Sequence, residues 1–161
     1  MLWGMSHDAP PASLPPDLPP APPLGAVLEA AVYAADLDAA ESFYGGILGL
    51  DRIARIGRRH VFYRVGPTVL LVFNPAETTA PPSNPRLPVP PHGAEGPGHL
   101  CLSATRDEID AWRARLEAAG HPIEADFLWP NGARSLYFRD PAGNSLEIAE
   151  PRLWREGTPD G

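Results

Sequence analysis

The chain repeats one order of strands and helices, and this repeat restricts the fold more than any other feature. The segment LLVFNP at 70–75 lies over LEIAEP at 146–151 without gaps. Glu29 likewise corresponds to His99, since each precedes a predicted helix by a similar distance. Each copy follows the order strand, helix, strand, strand, strand. A repeat of this length predicts two modules with the same architecture.

The first copy begins near Gly25. Residues 26–35 are predicted to form a strand, and Asp36 or Asp38 then caps a helix. Asp38 followed by Glu41 three residues later has the spacing of a capping box. Three further strands are predicted, separated by glycine-containing turns; they cover 51–56, 60–65 and 68–73.

The second copy ends in a β-hairpin. Its first strand is predicted at 98–103, and Thr105 with Glu108 forms a capping box for the following helix. A strand at 123–129 follows. The hairpin at 135–150 turns at the sequence DPAGN, because Pro fixes φ while Gly and Asn tolerate positive φ.

Two proline-rich stretches mark the boundaries of the modules. Residues 9–23 and residues 75–97 contain eight prolines each. In the first stretch this density is incompatible with a helix or a central strand, and the second stretch shows no periodicity. The first is interpreted as a disordered tail and the second as a linker that wraps the surface or covers a site. The predicted units are a tail (1–24), module one (25–75), a linker (76–96), module two (97–150) and a second tail (151–161).

The composition argues against several classes of protein. The net charge of −7 argues against nucleic-acid binding. No apolar run is long enough to span a bilayer, and the first residues lack the pattern of a secretory signal. A single cysteine, Cys101, excludes an internal disulfide and is expected to be a buried thiol. The sequence therefore predicts a cytoplasmic protein that binds neither nucleic acid nor membrane.

The closing strand of the hairpin carries a carboxylate between apolar neighbours. Glu147 lies between Leu146 and Ile148. A charge in a partly buried strand needs a partner or a metal. The alternative is an exposed Glu on the solvent face of the strand.

Four stretches resemble the vicinal oxygen chelate superfamily, which includes glyoxalase I, bleomycin-resistance proteins, fosfomycin-resistance enzymes and extradiol dioxygenases. They are DLDAAESFYGGILGL (36–50), VLLVFNP (69–75), GPGHLCLS (96–103) and YFRDPAGNSLEI (137–148). The resemblance implies an α+β fold of the glyoxalase/bleomycin-resistance/dihydroxybiphenyl dioxygenase-like type. In that fold two βαβββ modules curve their sheets around a cleft.

The resemblance also implies three metal ligands, Glu29, His99 and Glu147. Alternation places all three on the inward face of their strands, next to small residues. One imidazole and two carboxylates suit Mn, Fe(II), Ni, Co or Zn. Leu71 stands where glyoxalase I has a fourth ligand. The alternatives are an edge-strand charge for Glu29, a hydrogen-bonded core imidazole for His99, and a metal-free cleft of the bleomycin-binding type.

Other side chains are candidates for chemistry and for ligand contact. Glu29 and His60 are candidate catalytic bases. Four aromatic residues are candidates for a pocket wall, with ordinary core packing as the alternative: Tyr33, Phe62, Trp129 and Tyr137. His60 and His92 are candidates for lining the cleft, with a surface or loop histidine as the alternative.

The predicted function is a small metal-dependent lyase, isomerase or dioxygenase that chelates an oxygenated small molecule on a divalent ion. Because Leu71 can neither coordinate a metal nor accept a proton, little glutathione-dependent glyoxalase activity is expected. One alternative is a metal-free protein that binds a small molecule or drug, and another is a cleft with a regulatory role. The resemblance also implies a homodimer, since small members of the superfamily form clefts between or beside paired subunits.

Overall fold

The computed structural model describes residues 17–155, which form two four-stranded sheets with helices on one side. The predicted tails at 1–24 and 151–161 lie partly outside the described residues. Within the described part, residues 17–28 are exposed and form no helix or strand. No helix of residues 17–155 is long and apolar enough to cross a membrane.

Module one contains four strands and three helical segments. They are β1 (Glu29–Tyr33), α1 (Leu37–Glu41), a π-helical turn (Ser42–Ile47), β2 (Asp51–Ile56), β3 (His60–Val65), β4 (Thr68–Phe73) and α2 (Pro75–Thr78). The Asp36 side chain caps α1 by accepting from the backbone amides of Asp38 and Ala39. The predicted capping box at Asp38 is therefore wrong, because Asp38 lies in the first helical turn. The first strand is also shorter than predicted.

Module two repeats this order. It contains β5 (His99–Ser103), α3 (Arg106–Ala118), β6 (Ala125–Leu128), β7 (Arg134–Arg139), β8 (Ser145–Ala149) and a 3₁₀ helix (Pro151–Trp154). The capping box of Thr105 and Glu108 is confirmed. The strand predicted at 123–129 is shorter, since only Ala125–Leu128 pairs with β7. In the 3₁₀ helix Leu153 is buried, whereas Trp154 is exposed.

The two sheets have the same strand order and the same register. The order is β1-β4-β3-β2 in one and β5-β8-β7-β6 in the other, with the first pair parallel and the others antiparallel. In module one Leu71 pairs with Ala31 and with Phe62. In module two Glu147 pairs with Cys101 and with Tyr137. The predicted α+β fold of two βαβββ modules is confirmed, and its repeat extends to individual residue pairs.

One face of each sheet packs against the helices, and the two modules share a core there. Its members include Val32, Phe43, Leu70, Ile109, Leu136 and Leu146. Successive residues of a strand point to opposite sides of a sheet, and directly paired residues point to the same side. Glu29, His99 and Glu147 therefore all lie on the side that faces away from this core. We call this side the open face of each module.

Candidate metal and ligand site

The structure brings His99 and Glu147 together on the open face of module two. The distance from His99 Nε2 to Glu147 Oε2 is 3.4 Å. The Glu147 side chain is 6% exposed and the His99 side chain 53% exposed. The carboxylate is thus buried, and the imidazole covers it from the solvent side. Of the two alternatives for Glu147, a partnered buried charge is the one that the structure shows.

The hydrogen bond of His99 leaves its other ring nitrogen facing Glu147. His99 Nδ1 lies 3.0 Å from the Ser145 carbonyl oxygen. A carbonyl only accepts, so Nδ1 carries a proton, and Nε2 is the nitrogen that lies 3.4 Å from Glu147 Oε2. A carbonyl on the distal nitrogen is the usual support of a metal-binding histidine.

Two further side chains hold the Glu147 carboxylate in place. Ser135 Oγ donates to Glu147 Oε1 at 2.5 Å. Trp129 Nε1 in turn donates to Ser135 Oγ at 2.8 Å. Sequence reasoning missed Ser135. The signal was its position two residues before Tyr137, on the same face of the hairpin as Glu147.

Cys101 and Tyr137 adjoin the carboxylate but remain protonated. Burial of the thiol, with the Glu147 charge second, raises the pKa of Cys101 to about 12. Burial and the same carboxylate raise the pKa of Tyr137 to about 12. Neither group is therefore an anion at neutral pH. Cys101 was expected to be a buried thiol. The residue is exposed on β5, so that expectation is wrong for the residue, although its neighbours enclose the thiol in part.

Glu29 is not part of this cluster within one chain. It lies on the open face of module one, is exposed, and its carboxylate has no hydrogen-bond or ion-pair partner among residues 17–155. Over the same range, no group of three or more His, Cys, Asp or Glu side chains is placed to hold a metal. A single described chain thus supplies His99 and Glu147 at one place and Glu29 at another.

The counterpart of Glu147 in module one is apolar. Leu71 is 8% exposed and is flanked by Ala31 and Phe62 on the neighbouring strands. The row formed by Ala31, Leu71 and Phe62 therefore has no side-chain atom that could bind a metal.

The aromatic candidates fall into two groups, one on each open face. In module one Tyr33 and His92 pack together with Phe73, which also contacts Phe62. His60 joins this group by stacking on Phe62 at 4.0 Å between ring centroids. In module two the group comprises His99, Phe127, Trp129 and Tyr137. Sequence reasoning missed Phe73 and Phe127, which lie on the same faces.

The linker returns to module one through His92. The His92 amide donates to the Thr78 carbonyl at 3.0 Å, and the His92 Nδ1 to Tyr33 hydroxyl distance is 2.7 Å. The ring of His92 also contacts that of Phe73. The proline-rich linker therefore borders the aromatic group of module one.

Comparisons with known proteins agree with this fold. The model of the Glyoxalase/Bleomycin resistance protein/Dioxygenase superfamily matches residues 26–148. A solved structure of lactoylglutathione lyase from Agrobacterium tumefaciens is 45% identical, with a TM-score of 0.78. The match covers 83% of this chain and 98% of that one. No curated protein matches the chain.

More distant structures share the fold. A glyoxalase/bleomycin resistance protein/dioxygenase from Nocardioides is 22% identical, with a TM-score of 0.64 over 88% of this chain and 91% of that one. TioX from Micromonospora sp. ML1 is also 22% identical, with a TM-score of 0.61 over 78% and 98% of the two chains.

Proposed function

Because this chain belongs to the Glyoxalase/Bleomycin resistance protein/Dioxygenase superfamily, we propose that it is a small metal-dependent enzyme acting on an oxygenated small molecule. The reaction class is that of a lyase, an isomerase or a dioxygenase. The observation that carries this proposal is the pair of His99 Nε2 and Glu147 Oε2, which face each other at 3.4 Å.

The chemistry of the donor set fits a divalent ion. His99 offers a neutral nitrogen whose tautomer is fixed by the Ser145 carbonyl. Glu147 offers a carboxylate held by Ser135. Imidazole nitrogen and carboxylate oxygen are ligands for Mn, Fe, Ni, Co and Zn. When bound, such an ion acts as a Lewis acid toward the oxygen atoms of the substrate.

The third ligand in this proposal is Glu29 of the partner subunit in a homodimer. Glu29 is exposed, has no hydrogen-bond or ion-pair partner among residues 17–155, and stands at the repeat position of His99. We call His99 and Glu147 of one chain the half-site. A second copy that packs its module one against module two of the first chain would bring its Glu29 carboxylate to this half-site. Two carboxylates offset the charge of the ion, so a bound water would be less acidic than at a site with two histidines.

The function proposed here differs from that named for the A. tumefaciens relative. That relative is a lactoylglutathione lyase. In this chain Leu71 stands at the repeat position of Glu147, so the corresponding row of module one has neither a ligand nor a base. We expect little turnover of the methylglyoxal–glutathione adduct for this reason, and robust turnover would contradict that part of the proposal.

The deciding experiment is the metal content of full-length protein purified without chelators. We expect about one divalent ion per chain after loading, measured by inductively coupled plasma mass spectrometry, since a site with three protein ligands retains metal through buffer exchange. Absence of uptake from all five candidate metals would overturn the proposal.

That negative outcome would support the second candidate, a metal-free protein that binds a small molecule. The observation favouring it is that residues 17–155 of one chain assemble no group of three ligating side chains.

A further inference from the structure

Five rings on the open face of module one form a continuous aromatic wall: Tyr33, His60, Phe62, Phe73 and His92. His60 and Phe62 are parallel, with centroids 4.0 Å apart and an interplanar angle of 6°. Phe73 meets His60 at 81° and Phe62 at 80°. The corresponding positions in module two are largely small or polar, with Ser135 in place of His60 and Ala149 in place of Phe73.

His60 has a buried nitrogen without a partner. The residue is 8% exposed, and its Nδ1 is enclosed with no hydrogen-bond partner among the described residues. Nε2 is not enclosed in this way and has no partner within residues 17–155 either. A buried imidazole without a hydrogen-bond partner destabilises the fold. His60 is therefore a candidate for a hydrogen bond to a ligand.

The proton of the neutral ring belongs on Nε2. Burial, with the charge of Arg59 second, lowers the pKa of His60, so the ring is neutral at physiological pH. A buried N–H without an acceptor is rarer in proteins than a buried acceptor without a donor. We therefore assign the hydrogen to Nε2, which leaves Nδ1 as the buried acceptor.

The repeat explains why this donor has no acceptor on the neighbouring strands of module one. His60 pairs with Phe73 as Ser135 pairs with Ala149. Ser135 donates to Glu147, but the counterpart of Glu147 beside His60 is Leu71. Module one thus keeps the donor and lacks the acceptor. The neighbouring Ala31 is exposed and carries only a methyl side chain.

We propose that the wall around His60 and Phe62 binds a planar aromatic ring that carries a hydrogen-bond acceptor such as a carbonyl, with His60 Nε2–H as the donor. This inference rests on the proposed function in placing the ligand on the open face, and it names the class of substrate. The ring of the ligand stacks on aromatic side chains, and its carbonyl oxygen accepts from His60.

The experiment compares three probes on isotope-labelled, metal-free, full-length protein by NMR. Acetophenone has both the ring and the carbonyl, ethylbenzene lacks the carbonyl, and cyclohexyl methyl ketone lacks the aromatic ring. We expect acetophenone to shift the His60 ring nitrogens and to bind about fivefold more tightly than either of the others. The wild-type comparison needs no variant, so it decides the question even if a variant fails to fold.

Variants then assign the interaction. His60→Phe keeps a stacking ring and removes the donor, and it should lower acetophenone affinity to that of ethylbenzene. Phe62→Leu should weaken acetophenone and ethylbenzene alike. The control is His121→Phe, the same change at a half-buried histidine that contacts Phe43 on the helix side of the sheet; it should leave all three affinities unchanged.

Equal affinities for the three probes, or no shift of the His60 nitrogens at saturation, would overturn the proposal. The titration contains no metal, so it remains valid if the protein takes up no ion. Conversely, failure of this test leaves the metal site of His99 and Glu147 unaffected.

Discussion

The Tyr44 hydroxyl donates a 2.7 Å hydrogen bond to Asp140 Oδ2, and this bond joins the two modules across 96 positions of sequence. Tyr44 belongs to the helical segment of module one, and Asp140 begins the turn between β7 and β8. Asp140 also accepts from the side chain of Asn144, which donates to the Tyr33 carbonyl. The hairpin turn of module two is thereby attached to module one.

Tyr44→Phe should destabilise the protein by about 2 kcal/mol, because it removes a buried hydrogen bond to a charged acceptor. Urea unfolding followed by circular dichroism measures this. The control is Tyr63→Phe, since the Tyr63 hydroxyl is equally buried but has no partner among the described residues. Equal losses for the two variants would show that the bond adds nothing beyond packing.

Removing either member of the half-site should prevent metal binding. His99→Ala and Glu147→Ala each delete a ligand, so we expect metal content after dialysis to fall to background. Leu71→Ala, at the repeat position of Glu147, should retain the wild-type content. Full loading of the Glu147→Ala variant would refute the assignment.

Ser135→Ala should weaken metal affinity by about 10- to 100-fold, as is usual when the support of a ligand is lost. The reason is that Ser135 holds one oxygen of Glu147 and thereby sets the direction of the other. Competition with a fluorescent chelator measures the affinity. A control is Ser42→Ala, whose hydroxyl donates to a carbonyl within its own exposed helical segment; it should bind metal like the wild type.

A site shared between two subunits predicts complementation between inactive variants. Glu29→Ala and His99→Ala should each bind no metal alone. After they are unfolded and refolded together, a heterodimer contains one intact site, so about a quarter of the wild-type capacity should return. No recovery, or a monomeric mass by light scattering across a wide concentration range, would contradict the shared site.

Acid should destabilise the protein through Asp126. The Arg134 guanidinium, with Arg113 beside it, holds the pKa of Asp126 at about 2, below the ordinary 3.8. Because the folded state has the lower pKa, the unfolded state binds more protons between these values. The stabilisation is complete above about pH 4 and is lost as the pH falls toward 2, and it amounts to about 2 kcal/mol.

Unfolding free energies at pH 5 and pH 3 test this, and the difference between them should shrink in Asp126→Asn. Asp110→Asn is the matched control. Asp110 also pairs with Arg134, but its side chain is 68% exposed, so its pair contributes little. An unchanged pH difference in Asp126→Asn would assign the acid sensitivity elsewhere.

Local sequence signals predicted most elements because their causes are local. The strands β2, β3 and β4 begin and end where glycine turns and alternation placed them. The capping box of Thr105 and Glu108 needs only residues three apart. The choice between Asp36 and Asp38 as the N-cap of α1 was not predictable in this way. Aspartate is a good N-cap at either position, and the direction in which the chain leaves β1 decides between them.

The sequence by itself determined the repeat, and with it the placement of Glu29, His99 and Glu147 on equivalent faces of equivalent strands. The alternation of apolar and polar residues and the gapless alignment of residues 70–75 with 146–151 involve only neighbours in sequence, so they can be recognised without a structure. Only the tertiary structure decided that His99 meets Glu147, that Ser135 supports the carboxylate, and that His60 is buried without a hydrogen-bond partner among residues 17–155. Those facts depend on register between strands distant in sequence, which side-chain packing across the whole sheet fixes.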